Sequence, residues 1–233
     1  CPVELLAEQP LLRRHVRTQK LAAAGDFLTG RRTLLVADNV HVGVCKPAAP
    51  AGRAFFCNGD GDELYFVKAG AGYVESIYGV LPFRELDYVL IPRSTPYRLH
   101  LDGGTGTLLI FEGRPRLGIP GEYRNAWGQL SDFAPYSHRD FRLPQELLRF
   151  DAAVHGPPPY ELIVKAGDAL TRRQYTAFPF DVAGWDGAVY PVAFNILDYQ
   201  PRVGQVHLPP TIHTTFAGDG FVVCSFVPRP VDF

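Results

Sequence analysis

Short apolar segments, each closed by Gly, Asp or Pro, recur along most of the chain. Examples are RRTLLVA (31–37), ELYFVKA (63–69), GYVESIYG (72–79), DYVLIP (87–92), GTLLIFEG (106–113), YELIVKA (160–166) and FVVCSFV (221–227). Their Val, Ile, Leu, Phe and Tyr side chains suit a pleated, half-buried surface, and the 23 glycines and 21 prolines break the chain too often for long helices. The pattern predicts a mainly β protein, an antiparallel sandwich or barrel. Helical patterning is sparse: Pro10 to Ala24, with Gly25 as a stop, predicts one helix, and Leu143 to Phe150 a second, short one.

The stretch 113–159 is the richest in proline and the least strand-like. A loop region that long is functional or connects two units, so the boundary is placed there. The expected division is a β unit over residues 1–112, a Pro-rich connection over 113–159 and the start of a second β unit over 160–233.

With 233 residues, 46% of them hydrophobic, the chain can bury a sizeable core. Twenty-three basic against 24 acidic residues leave a net charge of −1, so no general positive field would draw in nucleic acid or an anionic membrane. No apolar run approaches the roughly 18 residues needed to span a bilayer, and the first residues lack the basic-then-apolar order of a signal peptide. A cytoplasmic location is expected. The four cysteines, Cys1, Cys45, Cys57 and Cys224, form no CxxC pair and are expected to be free thiols. There is no methionine, even at position 1, so the sequence is expected to be part of a longer protein.

The densest candidate chemistry lies in 205-QVHLPPTIH-213, where His207 and His213 bracket two prolines. Pro209 and Pro210 fix φ and remove two backbone donors, so the segment is a stiff loop and not a helix. Two imidazoles at its ends could form a piece of active-site wall or be satisfied structural histidines. The isolated His41, His100, His138 and His155 are read as structural or, for His138, as a surface or interface residue. The run 59-GDGD-62 reads as a turn into the next strand, because Asp60 and Asp62 lack EF-hand spacing. No GxSxG elbow, phosphate-binding glycine loop or HExxH helix is present.

Residues 59–99 resemble the two motifs of the cupin superfamily, a jelly-roll barrel. Glu63, Gly70, Asp87, Ile91 and Pro92 match its frame, but Phe56 and Asn58 stand where the paired ligand histidines would be, and Tyr97 where the third would be. A phenyl ring cannot ligate, and an amide or neutral phenol is a poor substitute, so no metal is expected in this unit.

A more specific resemblance comes from LGIPGEYRNAWGQLSDFAPYSHRDFR (117–142), FPFDVAGWDGAVYPVAFNILDY (178–199), QVHLPP (205–210) and GFVVCSFVPR (220–229). Together these look like the homogentisate 1,2-dioxygenase family in its bacterial form. That resemblance implies an Fe(II)- and O₂-dependent enzyme of tyrosine and phenylalanine breakdown, which opens the ring of homogentisate to give maleylacetoacetate. It implies two cupin-like jelly-roll units with antiparallel sheets, the second incomplete here, and assembly as a homo-trimer or homo-hexamer. In the family the iron ligands, two histidines and a glutamate, follow the FVPR strand, beyond Phe233. No metal or cofactor ligand is therefore expected in this chain, which alone is expected to be inactive and not a stable monomer. His207 is implied to be the acid/base residue that takes up the proton of the substrate's ring hydroxyl, with His213 supporting or packing. The competing reading has His207 merely ending a strand while His213 does the chemistry. A non-catalytic cupin-type binding or scaffold protein, or a ring-cleaving dioxygenase for another substrate such as gentisate, are the rival functions.

Overall fold

A computed structural model describes residues 15–180, 189–200 and 213–228. Sixteen strands run through them: β1 Arg31–Val36, β2 Val40–Cys45, β3 Phe55–Asn58, β4 Asp62–Ala69, β5 Gly72–Ser76, β6 Gly79–Phe83, β7 Asp87–Ile91 and β8 Pro96–Leu101 in the first half, then β9 Thr107–Gly113, β10 Leu117–Gly118, β11 Phe141–Arg142, β12 Tyr160–Ala166, β13 Ala169–Tyr175, β14 Val192–Asn195, β15 Thr214–Gly218 and β16 Phe221–Cys224. Among the described residues the single α-helix, α1, is Ala152–His155. No helix there is long and apolar enough to cross a membrane.

From β2 to β9 the chain crosses between two sheets at every step except β5 to β6, which pair as a hairpin. β2, β9, β4 and β7 lie side by side in one, and β3, β8, β5 and β6 in the other. That crossing pattern is a double-sheet jelly roll. β1, β14 and β11 widen the first sheet to seven strands, and β12 and β13 widen the second to six. Strands on both sides of the 113–159 stretch therefore share both sheets. Every strand pair is antiparallel except β12 with β3, which run parallel in register from Leu162 opposite Phe55 to Lys165 opposite Asn58. A parallel pair requires a long crossover, and the chain between Asn58 and Tyr160 supplies it.

The central strands β4 and β7 are buried on both faces, which explains why they read as continuous apolar runs and not as clean alternation. On β4, Tyr65 and Val67 face the barrel interior with Phe56, Tyr97, Leu99 and Ile110, while Leu64 packs outside against Tyr88, Tyr123, Tyr136, Phe194 and Phe216. Full burial of such side chains stabilises by roughly 1.5–3 kcal/mol each. The outer layer is also tied by hydroxyls: Tyr123 and Tyr136 donate to the carbonyls of Thr214 and Thr215 at 3.0 and 2.7 Å. These bonds hold a connection that has little regular structure of its own against β15.

Two helix expectations are corrected. From His15 onward the first gives only a 3₁₀ turn, Thr18–Lys20; residues 1–14 lie outside the described residues. Leu143 to Phe150 forms no helix but an isolated bridge to the sheet edge, where Val80 donates to Glu146 O at 3.1 Å and accepts from Gln145 N at 3.4 Å. An eight-residue helix is marginal alone, so the open backbone of β6 wins. Gly79 permits this approach: at φ +114° a β-carbon there would lie 2.0 Å from Glu146 O.

Candidate functional site

The barrel interior contains an arginine, Arg31, paired with a buried carboxylate. Glu63 and Tyr65 point the same way from β4, two residues apart, and Tyr97 faces them from β8 of the other sheet. Arg31, the first residue of β1, reaches between them. Its Nη1 donates to Glu63 Oε1 at 2.6 Å, its Nη2 donates to Tyr97 Oη at 2.9 Å and to Tyr65 Oη, and its Nε donates to Phe27 O at 3.1 Å. Tyr97 Oη donates to Glu63 Oε2 at 2.5 Å, and the two tyrosine hydroxyls also touch. Phe56 lies under the guanidinium, its ring centroid 4.7 Å from Cζ. Glu63 is 1% exposed and both tyrosines are fully buried. A carboxylate so placed must be paired, and Arg31 is its pair.

Burial pushes the Tyr97 and Tyr65 hydroxyls well up, and the neighbouring Glu63 charge adds to it despite the pull of Arg31, so both stay protonated. For Arg31 burial acts downward, but Glu63 and the two tyrosines outweigh it and hold the guanidinium firmly charged.

A cavity of about 280 Å³ borders this cluster, lined by Arg31, Phe56 and Glu63 together with His41, Glu112, Lys165 and Asp168. His41 and Glu112 face each other across β2 and β9. With Asp168 they bring one nitrogen and two carboxylates within 4.8 Å of one another. That donor set is already committed. Lys165 Nζ lies 2.6 Å from both oxygens of Glu112, Arg114 Nε donates to Glu112 at 2.9 Å, and Arg114 also grips Asp168. Burial alone would raise the Glu112 carboxyl, yet these two cations hold it below the usual carboxylate range. A divalent ion would have to displace a lysine and an arginine from their carboxylates. The residues of this barrel do not fit the iron that the resemblance implies.

A second buried polar cluster lies on the outer face of the six-stranded sheet. Glu75 on β5 accepts from Arg98 Nε at 2.8 Å, and its carboxylate lies 2.7 Å from His100 Nε2 and 2.8 Å from His155 Nε2. The ionised Glu75 carboxylate can only accept, so His155 Nε2 is the donor to it, while Nδ1 lies 2.9 Å from both N and O of Asp151. Burial pushes the Glu75 carboxyl up, but the hydrogen bonds and charges of His100 and Arg98 prevail and hold it at about 2. These contacts clamp α1 and its flanking chain to the barrel.

His207 lies outside the described residues. His213 is buried just before β15, its ring 4.5 Å from that of Phe226, and its backbone carbonyl accepts from Ser225. His138 is exposed and accepts from Leu130 N at 3.4 Å. Phe56 and Tyr97 fall inside the barrel as the motif frame predicts. Asn58 Oδ1 instead caps the turn after β3, accepting from Asp60 and Gly61. Asp60 accepts from Gly167 and Asp168, and Asp62 from Arg93 and Leu117, so the GDGD run is a turn whose carboxylates tie loops together. Cys45, Cys57 and Cys224 are free thiols, and Cys1 lies outside the described residues.

Sequence reasoning missed Arg31 and Tyr65. Tyr65 could have been found from its place two residues after Glu63, on the same strand face. Arg31 could not, since nothing local distinguishes it from Arg32.

Residues 22–196 match the family described as homogentisate 1,2-dioxygenase N-terminal. A protein of Saccharolobus solfataricus, provisionally named a dioxygenase, is 38% identical over 216 residues, covering 93% of this chain and 54% of the relative. The homogentisate 1,2-dioxygenase of Emericella nidulans is 28% identical over 192 residues, 77% of this chain and 40% of that enzyme. The chain thus spans about half the length of the curated relatives it matches. A cupin superfamily protein from Desulfitobacterium hafniense aligns with 45% of this chain and 94% of its own, at 16% identity and a TM-score of 0.36.

Proposed function

The chain belongs to the homogentisate 1,2-dioxygenase N-terminal family, and from that premise we propose that it forms the first, metal-free β unit of a ring-cleaving dioxygenase whose substrate is homogentisate. The family match over 22–196 carries this reading. The arginine-filled barrel agrees with it, since a unit whose metal position is taken by a guanidinium leaves the iron to ligands elsewhere. Within the proposal, residues 1–112 are the first unit, 113–159 the connection, and 160–233 the start of the second, with β12 to β14 laid onto the sheets of the first. The intact protein is cytoplasmic, assembles as a homo-trimer or homo-hexamer, and converts homogentisate and O₂ to maleylacetoacetate.

Fe(II), held by residues outside this chain, would supply the activation of O₂ and the anchoring of the substrate's oxygens. This chain's part in the reaction is a proton. His207 accepts the proton of the ring hydroxyl as the substrate binds, which makes the ring more electron-rich for oxidation. Imidazole suits the task because its ordinary pKa of about 6.5 lies near working pH.

The test is His207→Ala in the intact protein. Iron content should be unchanged and turnover of homogentisate should fall by about 10² to 10⁴, the usual scale of a general acid/base. Near-normal turnover, or a loss accounted for by lost iron, overturns the role of His207. An intact protein that binds iron but opens gentisate and not homogentisate overturns the substrate, and one that binds no iron favours a scaffold role.

A further inference from the structure

The two sheets of the barrel stand open on one side. β1 is the outermost strand of the seven-stranded sheet and β13 the outermost of the six-stranded one, and the cavity of about 280 Å³ lies between these edges. Thr33 of β1 and His41 of β2 line it from one sheet, Lys165 of β12 and Leu170 of β13 from the other. Phe56 and Ile110, from the interior core, line it too, so the cleft reaches between the sheets and is not a groove on their outside. Gly43, paired with Thr33, contributes no side chain and leaves the space beside it open. We infer that this cleft is a binding site for a small uncharged molecule that carries a hydroxyl on a single ring, a benzylic alcohol or a phenol. Homogentisate, an acid, is not of this class.

Charge decides the class of ligand. The lining carries three cations, Arg31, Arg32 and Lys165, and three carboxylates, Glu63, Glu112 and Asp168. Each carboxylate already has its cation: Arg31 for Glu63, Lys165 for Glu112 and Arg114 for Asp168. Arg114 and Asp60, just outside the lining, stand 3.6 Å apart and cancel as well. An ionic ligand would give up its hydration for a cleft whose charges already balance. The polar groups left over are the Thr33 hydroxyl and the His41 imidazole, neither of which has a hydrogen-bond partner among the described residues. A hydroxyl and a neutral imidazole each donate and accept. A carboxylate only accepts and an ammonium only donates, whereas a ligand hydroxyl does both and satisfies either group. Leu28, Phe56 and Ile110 supply an apolar wall for the ring, and the volume is at the small end of ligand pockets, which start at about 300 Å³, so it suits one ring.

The experiment uses the intact protein, stripped of iron with a chelator so that the readout is independent of the proposed activity. Three probes of nearly the same shape, para-fluorobenzyl alcohol, para-fluorobenzoate and para-fluorobenzylammonium, differ chiefly in charge, and the fluorine relaxation of each reports weak binding directly. The alcohol should bind saturably at about one site per chain, and the two ions roughly tenfold or more weakly. His41→Ala should weaken the alcohol about tenfold, the equivalent of one hydrogen bond, and His41→Gln should recover part of that. Thr33→Trp, which fills the cleft from an exposed position, should abolish binding. Where Thr33→Trp does not fold, His41→Ala decides. An alcohol that does not bind, or that binds unchanged in the folded variants, overturns the inference. An ion that binds as tightly as the alcohol and is lost with the same substitutions overturns the class of ligand.

Discussion

His155 donates to Glu75 across 2.8 Å, although the two residues are 80 positions apart in the chain. The bond joins α1, in the connection, to β5 in the barrel wall, and it is sealed by Phe178, whose ring lies 4.5 Å from that of His155. His155→Ala should therefore loosen the connection, costing about 2 kcal/mol for a lost hydrogen bond to a charged group. His155→Gln, which keeps a donor, should recover part of that. Urea midpoints of the three proteins check the order.

Acid should weaken the same clamp. Glu75 has a folded value of about 2, below the ordinary carboxylate range, so its contribution is complete above the unfolded value. It is lost as pH falls from there toward 2, since the unfolded state takes up the proton first. The amount is on the order of 3 kcal/mol. Stability measured by urea unfolding at pH 6 and pH 3 should fall more steeply in the parent than in Glu75→Gln.

Asp87 is fully buried and serves three partners: Arg84 N at 2.7 Å, Asn195 Nδ2 at 2.7 Å and the Arg142 guanidinium. It thereby fixes β14 and β11 to β7. Asp87→Ala removes the shared acceptor of all three donors, among them the buried Asn195 amide, and should cost about 2 kcal/mol, measured by thermal or urea unfolding. Arg142→Ala, at a half-exposed partner, should cost less.

The buried thiols should be inert. Burial pushes Cys45 and Cys57 each up to about 11, leaving almost no thiolate at neutral pH. In a Cys1→Ser, Cys224→Ser background, a disulfide reagent should label Cys45 and Cys57 within minutes in denaturant and far more slowly in the folded protein. Rapid labelling of the folded protein would show that the interior opens easily.

By itself the sequence determined the strands and their kind. RRTLLV, ELYFVKA, DYVLI, TLLIFEG and YELIVKA became β1, β4, β7, β9 and β12 because strand preference and Gly or Pro breakers act within a few residues of one another. The substitutions at Phe56 and Tyr97 were equally legible, since a side chain without a ligating nitrogen lacks it in any fold. Tertiary structure alone decided three other things. Leu143 to Phe150 formed no helix because a helix that short is marginal alone and an open strand edge 65 residues away, at Val80, offered its backbone two hydrogen bonds. His100 and His155, isolated along the chain, met at one carboxylate because two strands and a helix were packed together. And Glu63 acquired Arg31 as its counter-ion from a strand at the far edge of the sheet, because a buried charge takes the nearest cation in space and no local pattern in the chain encodes which one that will be.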